Sequence, residues 1–163
     1  MKILLPIDGS TPALAALHHA LRLLQEGLGA EFLLANVQEP ATFYEMLSTR
    51  DPELIKRASA EAGLHLLEPA AALCRTAGVA FELEVALGDP ANTLNEIVDR
   101  FQCDAIFMGA RGHGAVSSAL LGSVSQQVTH DARVPVTIVK DRETSMQDEG
   151  QPALWPMDDA QQV

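Results

Sequence analysis

Positive charge is scarce in this chain of 163 residues, which has 11 Lys and Arg against 22 Asp and Glu and a net charge of −11. Binding to nucleic acid backbones or to anionic membranes depends on clustered basic side chains. The composition therefore argues against both kinds of partner. Residues 141–163 hold six acids and one arginine and carry −5 of this charge. We predict one domain over residues 1–140, followed by an acidic, disordered tail over residues 141–163.

Long apolar runs and paired cysteines are also missing. No span of about 18 or more apolar residues occurs, and the apolar run before Asp8 is too short for the core of a secretion signal. We therefore expect a soluble, cytoplasmic protein. The two cysteines, Cys74 and Cys103, lie far apart in apolar segments and show no metal-binding spacing. This arrangement favours buried free thiols over a disulfide or a redox pair.

Common catalytic motifs are absent as well. The chain has no GxxxxGK[ST] phosphate loop, no GxSxG elbow and no paired carboxylates in a suitable turn. We predict no catalytic residue. Binding is expected instead, with at most slow turnover of a bound ligand.

Apolar strand-like segments alternate with amphipathic helical segments along the chain. Glycines and prolines separate them, and a helix kink or break is expected near residues 65–68 because Pro69 follows. The predicted strands are residues 2–7, 31–37, 79–87, 105–108 and 134–139. Such β-α alternation predicts an α/β fold, a single doubly wound five-stranded parallel sheet with helices on both faces. With the first strand central, the strand order is 3-2-1-4-5.

The stretch from Asp104 to Lys140 carries the clearest functional pattern. A strand ends at Gly109, a loop containing Gly112 follows, and a helix opens at Gly122. Glycines let backbone approach a phosphate closely, and a helix N-terminus offers unpaired N–H groups and partial positive charge. Open parallel sheets bind ligands where the strand order reverses, here between the first and fourth strands. The loops after Asp8 and Gly109 are therefore expected to meet at one site.

The spacing Gly109-x-x-Gly112, nine residues, then Gly122-Ser123 resembles the G-x-x-G-x9-G-[S/T] signature of the universal stress protein family. The similarity extends over about residues 2–140 and includes ILLPIDGS, the Gly88-Asp89-Pro90 turn, MGARG, GSVS and VPVTIV. This resemblance implies an adenine nucleotide alpha hydrolase-like fold and ATP as the ligand. The loop PIDGSTPA differs from the serine- and glycine-rich loop of related adenylate-forming enzymes, so we expect binding with at most slow ATP hydrolysis or self-phosphorylation.

The resemblance also implies a role for each matching residue. Asp8 would contact the ribose and adenine, the adenine would meet Val37, and Arg111 would flank the phosphates. Hydrogen bonds to the phosphates would come from the start of the last helix. A Mg²⁺ or Mn²⁺ ion would be bound through the nucleotide's phosphates and not by a metal site of the protein. The predicted nucleotide-binding set is Pro6, Ile7, Asp8, Val37, Met108, Gly109, Arg111, Gly112, Gly122, Ser123, Val124 and Ser125.

Other interpretations remain open beside this one. Gly109 and Gly112 taken singly are ordinary turn glycines, and Gly122-Ser123 is an ordinary helix start; the complete spacing favours the site. The function is then an ATP-binding stress-response or signalling module. The alternatives are an interaction protein of the same fold that binds no nucleotide, and a slow ATPase, for which no general base is visible.

The last predicted strand, Val134 to Val139, suggests an assembly. It is apolar on both faces and falls at an edge of the sheet, where unpaired backbone groups invite pairing with another strand. The family resemblance implies a two-fold homodimer through this strand. No protein partner beyond this homodimer can be identified from the sequence.

Overall fold

The computed structural model describes residues 1–39, 52–112 and 120–140. These residues form a five-stranded parallel sheet of order β3-β2-β1-β4-β5, which confirms the predicted fold class and strand order. The strands are β1 (Lys2–Pro6), β2 (Glu31–Gln38), β3 (Phe81–Leu87), β4 (Ala105–Gly109) and β5 (Val136–Val139), and the helices are α1 (Thr11–Gln25), α2 (Pro52–Ala77), α3 (Pro90–Phe101) and α4 (Ser123–Asp131). The polar segment over residues 38–51, for which the sequence predicts a long loop, lies mostly outside the described residues, and so does all of the tail predicted over residues 141–163.

The sheet is covered on both faces, and each face has its own buried apolar cluster. Residues of α1 and α2 pack on one face, against Ile3 and Leu5 of β1. Residues of α3 and α4 pack on the other face, against Leu4. Because alternate residues of a strand point to opposite faces, a strand covered on both sides must be apolar throughout. This explains the unbroken apolar runs of β1 and β2.

The helices begin where the sequence places their capping residues. Ser10 caps α1, and its hydroxyl oxygen accepts a hydrogen bond from the backbone N–H of Ala13 at 3.3 Å. Asp89 caps α3 in the same way, accepting from the N–H of Asn92 at 3.0 Å. Each cap satisfies one of the N–H groups that the first turn of a helix leaves without a partner.

The predicted ends of β1, β2 and β4 differ from the structure by one residue each, and three larger differences concern α2, β3 and β5. The sequence predicts a kink or break near residues 65–68; α2 runs continuously through Pro69, so there is no break. Leu67, Ala70 and Ala71 are fully buried on either side of this proline, so the packing of that face outweighs the loss of one backbone hydrogen bond. Strand β3 starts after Val79, whose N–H completes the end of α2 by donating to the Cys74 carbonyl at 3.0 Å. Strand β5 starts at Val136, after Pro135, which has no N–H for the sheet.

Both cysteines are buried free thiols, as predicted. Cys74 belongs to the cluster on one face of the sheet and Cys103 to the cluster on the other, so the sheet separates them. Burial raises the pKa of both thiols to about 11, because a thiolate loses its hydration in an apolar environment. Both groups are therefore neutral thiols near pH 7, the protonation state of least nucleophilicity.

Helix α1 crosses so closely over the end of β4 that residue 109 must be a glycine. A Cβ atom at Gly109 would lie 2.6 Å from the carbonyl carbon of Pro12 and 2.7 Å from its oxygen. Moving the backbone atoms of a packed helix aside costs free energy, because it disturbs the hydrogen bonds and the packing of the helix. The close approach brings the start of α1 beside the loop that follows β4.

Replacing Gly109 by alanine is therefore expected to destabilise the domain by about 1–3 kcal/mol, the usual cost of overpacking a core. Urea unfolding followed by circular dichroism would measure the change. Gly122→Ala is the matched control, because a Cβ at Gly122 would have no neighbour closer than 3.5 Å. Equal stability of the Gly109→Ala and wild-type proteins would contradict the packing described here.

None of the helices in the three described ranges is long and apolar enough to cross a membrane.

Candidate functional site

A cleft of about 520 Å³ opens at the carboxyl ends of the strands, above the junction of β1 and β4. This junction is the point where the strand order reverses, and it is held by the pairs Ile3–Ala105 and Leu4–Ile106. All twelve residues predicted from the sequence line the cleft: Pro6, Ile7, Asp8, Val37, Met108, Gly109, Arg111, Gly112, Gly122, Ser123, Val124 and Ser125. The structure therefore brings together segments that lie more than 100 positions apart in the sequence.

The loops after β1 and β4 meet closely at Asp8 and Gly112. A Cβ atom on Gly112 would collide with Oδ2 of Asp8. The other carboxylate oxygen, Oδ1, accepts a hydrogen bond from the N–H of Ser10 at 2.9 Å. Asp8 is thereby hydrogen-bonded to the residue that caps α1. Its carboxylate also lies beside Gly112 in the segment that joins β4 to α4, here called the glycine loop. A carboxylate in this position can accept hydrogen bonds from hydroxyl groups of a ligand in the cleft.

The two ends of the glycine loop are joined by hydrogen bonds to a single carbonyl. The N–H of Gly122 donates to the carbonyl oxygen of Ala110 at 2.8 Å. The Ser125 hydroxyl is buried and lies 2.8 Å from the same oxygen and 3.0 Å from the Gly122 carbonyl oxygen. These two donors were expected to reach phosphates, but in the structure they close the loop. Ser125 is thus part of the scaffold, through its side chain.

The first turn of α4 still offers backbone donors to the cleft. The N–H groups of Ser123, Val124 and Ser125 occupy the positions that have no acceptor within a helix. Gly122 precedes them and makes no side-chain cap. All three residues line the cleft. Their N–H groups and the helix dipole form a site suited to an anion.

Charge in the cleft is mixed. Arg111 is half-buried and is the one basic side chain among the described residues that line it. Asp8 and Glu39 are the acidic ones. A polyanion would meet Arg111 and the N-terminus of α4 at one end, with the two carboxylates also lining the cleft. One arginine cannot neutralise a triphosphate, so a bound cation would be needed to offset the remaining charge.

Two amides of the cleft wall, Asn36 and Gln38, were not among the residues predicted from the sequence. Asn36 is only 3% exposed, although it lies in an otherwise apolar part of β2. Its Nδ2 donates to the carbonyl oxygen of Ile7 at 2.7 Å, and its Oδ1 accepts from Nε2 of Gln38 at 2.6 Å. A polar residue inside an apolar strand was the available signal. Further lining residues come from helices and loops, namely Ala13, Leu66, Pro90, Leu94 and Leu121.

The chain is similar to a known family over most of its length. The family model described as "Universal stress protein family" matches residues 1–140. A universal stress protein of Methanocaldococcus jannaschii is 32% identical over 139 residues, which cover 85% of this chain and 81% of that protein. A universal stress protein of Thermus aquaticus is 33% identical over 145 residues, covering 85% of this chain and 97% of the relative.

Solved structures agree with this result. The structure of the hypothetical protein MJ0577 superposes with a TM-score of 0.72 at 27% identity, and covers 86% of this chain and 96% of that chain. A universal stress protein family protein of Arabidopsis thaliana, solved with AMP bound, gives a TM-score of 0.62 at 25% identity, with 88% and 94% covered. The family model matches most of the chain, and long relatives align over nearly all of the same region. The chain belongs to the universal stress protein family.

Proposed function

We propose that the cleft binds ATP and that the protein acts as an ATP-binding stress-response or signalling module. One observation carries this proposal: Asp8 after β1, Gly112 after β4 and the N-terminus of α4 line one cleft of about 520 Å³. That volume lies within the range of about 300–1,000 Å³ usual for small-molecule sites. The AMP bound to the Arabidopsis relative supports a nucleotide as the ligand.

The residues of the cleft fit the parts of a nucleotide. Apolar side chains of Ile7, Val37, Met108 and Leu94 suit the faces of a base. The Asp8 carboxylate suits ribose hydroxyl groups. Arg111, the glycine backbone and the N–H groups at the start of α4 suit phosphates.

A divalent cation is part of the proposal. Mg²⁺ or Mn²⁺ would be bound mainly through the phosphates and would neutralise charge that Arg111 alone leaves uncompensated. Binding of this kind lowers the free energy of the arrangement in which Arg111, Gly112 and the start of α4 contact the ligand. A ligand that prefers one arrangement of that surface shifts its population, and a partner could detect the change.

The remaining parts of the proposal concern setting and assembly. We place the protein in the cytoplasm, without nucleic acid or membrane partners, as a homodimer paired through the predicted edge Val134–Val139. β5 lies at one end of the described sheet, and its four residues are half-buried, which supports an edge able to pair. The alternatives are an interaction protein that binds no nucleotide and a slow ATPase.

Protein purified without added nucleotide is expected to retain ATP or AMP. Denaturation would release the nucleotide, and ion-exchange chromatography of the filtrate against standards would identify it. The nucleotide is expected to stay bound because a cleft whose donors match its ligand releases that ligand slowly during purification. Gly122→Glu protein prepared in parallel is the control and should release none. An empty wild-type filtrate, together with no uptake of ATP after incubation and desalting, would favour the interaction-only alternative.

A further inference from the structure

Two amide side chains form a fixed relay at the wall of the cleft. Asn36 donates to the Ile7 carbonyl oxygen through Nδ2 at 2.7 Å, and Gln38 donates to Oδ1 of Asn36 through Nε2 at 2.6 Å. Both residues line the cleft, Asn36 being buried and Gln38 half-buried. Residues two apart on a strand share a face, so the two amides lie side by side along the end of β2.

The relay fixes which way each amide points. A backbone carbonyl can only accept, so Asn36 must present its NH₂ group to Ile7 and its oxygen to Gln38. Gln38 must then present its NH₂ group to Asn36. Turning the Gln38 amide over would set two oxygens against each other at hydrogen-bond distance. The orientation of Gln38 is therefore determined by the Ile7 carbonyl, two hydrogen bonds away.

Close packing restricts Asn36 further. A Cβ atom on Gly63 of α2 would lie 3.0 Å from Oδ1 of Asn36 and 2.5 Å from Cγ1 of Val85. The helix therefore lies close above the Asn36 oxygen at this point. An amide bonded on both sides and covered by a helix has little freedom to reorient.

The relay leaves Gln38 with two unused groups. Its Oε1 accepts no hydrogen bond from any described residue, and Nε2 carries a second hydrogen besides the one that it gives to Asn36. When Asn36 takes the hydrogen trans to Oε1, the other hydrogen and Oε1 form a donor and an acceptor on one edge of the planar amide. Adenine presents the complementary pair, an N6 amino donor next to a ring-nitrogen acceptor, and glutamine binds it with two hydrogen bonds.

We propose that Gln38 is a specificity-determining residue that selects a 6-aminopurine over a 6-oxopurine, and that Asn36 is the residue that positions it. The proposal rests on nucleotide binding at this cleft. In guanine or hypoxanthine, the group at position 6 is an acceptor and would face Oε1 of Gln38. The amide could match such a base only by turning over, which the relay opposes. The pair Asn36–Gln38 therefore disfavours GTP and ITP, because Oε1 of Gln38 would face the acceptor oxygen at position 6 of either base.

The test is a set of calorimetric titrations of nucleotide-free protein with ATP, GTP and ITP. Wild-type protein is expected to bind ATP at least about tenfold more tightly than either 6-oxo nucleotide, the scale of discrimination of a good bidentate contact. ITP differs from ATP in the base alone and lacks the 2-amino group of guanine, so it isolates the 6-oxo edge. ITP binding as tightly as ATP would overturn the proposal without any variant.

In Gln38→Leu protein, the affinities for ATP and for the 6-oxo nucleotides should differ by no more than about threefold, chiefly because ATP binds more weakly. Leucine has a similar size but lacks both the Oε1 acceptor and the Nε2 donor. Gln25→Leu is the matched control, since Gln25 ends α1 outside the cleft, and should keep the wild-type preference. An unchanged ratio in Gln38→Leu protein would overturn the proposal while leaving ATP binding intact. Wild-type protein that binds none of the three nucleotides would instead refute the proposed function itself.

Discussion

Replacing Gly122 by glutamate is expected to abolish ATP binding while the domain stays folded. Gly122 has φ −74° and ψ 164°, a backbone conformation open to any residue. A carboxylate at this position would lie beside the N–H groups of α4 that we assign to the phosphates, and would repel a triphosphate. We expect a loss of affinity of about 100-fold or more, measured by calorimetry.

The stability of the same variant separates a local effect from unfolding. A negative charge at a helix N-terminus is generally favourable, by about 0.3–1 kcal/mol, so the melting temperature should not fall. Gly122→Ala is the control that keeps the site uncharged, because its Cβ would meet only ordinary contacts, at 3.5 Å or more. ATP affinity near the wild-type value in Gly122→Glu protein would show that phosphates do not bind at the start of α4.

Replacing Val136 by lysine is expected to convert the proposed homodimer into monomers. Val136 opens β5, which pairs with β4 on one side and is the last strand of the described sheet on the other. In a dimer built through this edge, the lysine would bring an unpaired charge into the interface, at a cost of several kcal/mol. Sedimentation velocity at matched concentrations would show the change in mass.

Two controls make this result specific. Leu83→Lys places the same charge on β3, the strand at the opposite edge, where Leu83 is 39% exposed, and should leave the dimer unchanged. Val136 also packs against the core cluster on its face, so Thr137→Lys serves as a second variant if Val136→Lys fails to fold. Folded dimers from both β5 variants would rule out an interface through this strand.

The fold could be predicted from the sequence because the apolar strand patterns and the helix caps indicate the same architecture. Runs such as Ile3 to Leu5 are apolar throughout, as expected for strands of a sheet covered on both faces. Ser10 and Asp89 mark the starts of helices that have a proline in their first turn. Pro69 is where local rules failed. Its effect on α2 is decided by Leu67, Ala70 and Ala71, whose burial depends on the tertiary structure.

The location of the candidate site could be predicted from the sequence, but several of its hydrogen bonds could not. Asp8 and Gly112 could be placed together because parallel strands end at a common edge, and the structure does bring them into contact. That the Ser125 hydroxyl closes the loop onto Ala110 could not be inferred, since a serine at a helix start is equally able to bind a ligand. Asn36 and Gln38 were missed because Asn36 bonds to a backbone carbonyl, that of Ile7, which carries no side-chain signature, and Gln38 bonds in turn to Asn36.

The central claim is that this cleft binds ATP, and isothermal titration calorimetry tests it most directly. Wild-type protein stripped of nucleotide by reversible denaturation would be titrated with ATP in the presence of Mg²⁺. We expect a saturable isotherm with one ATP site per chain for the wild-type protein and no binding isotherm for Gly122→Glu protein. A wild-type titration without binding up to millimolar ATP, from protein that circular dichroism shows to be folded, would contradict it.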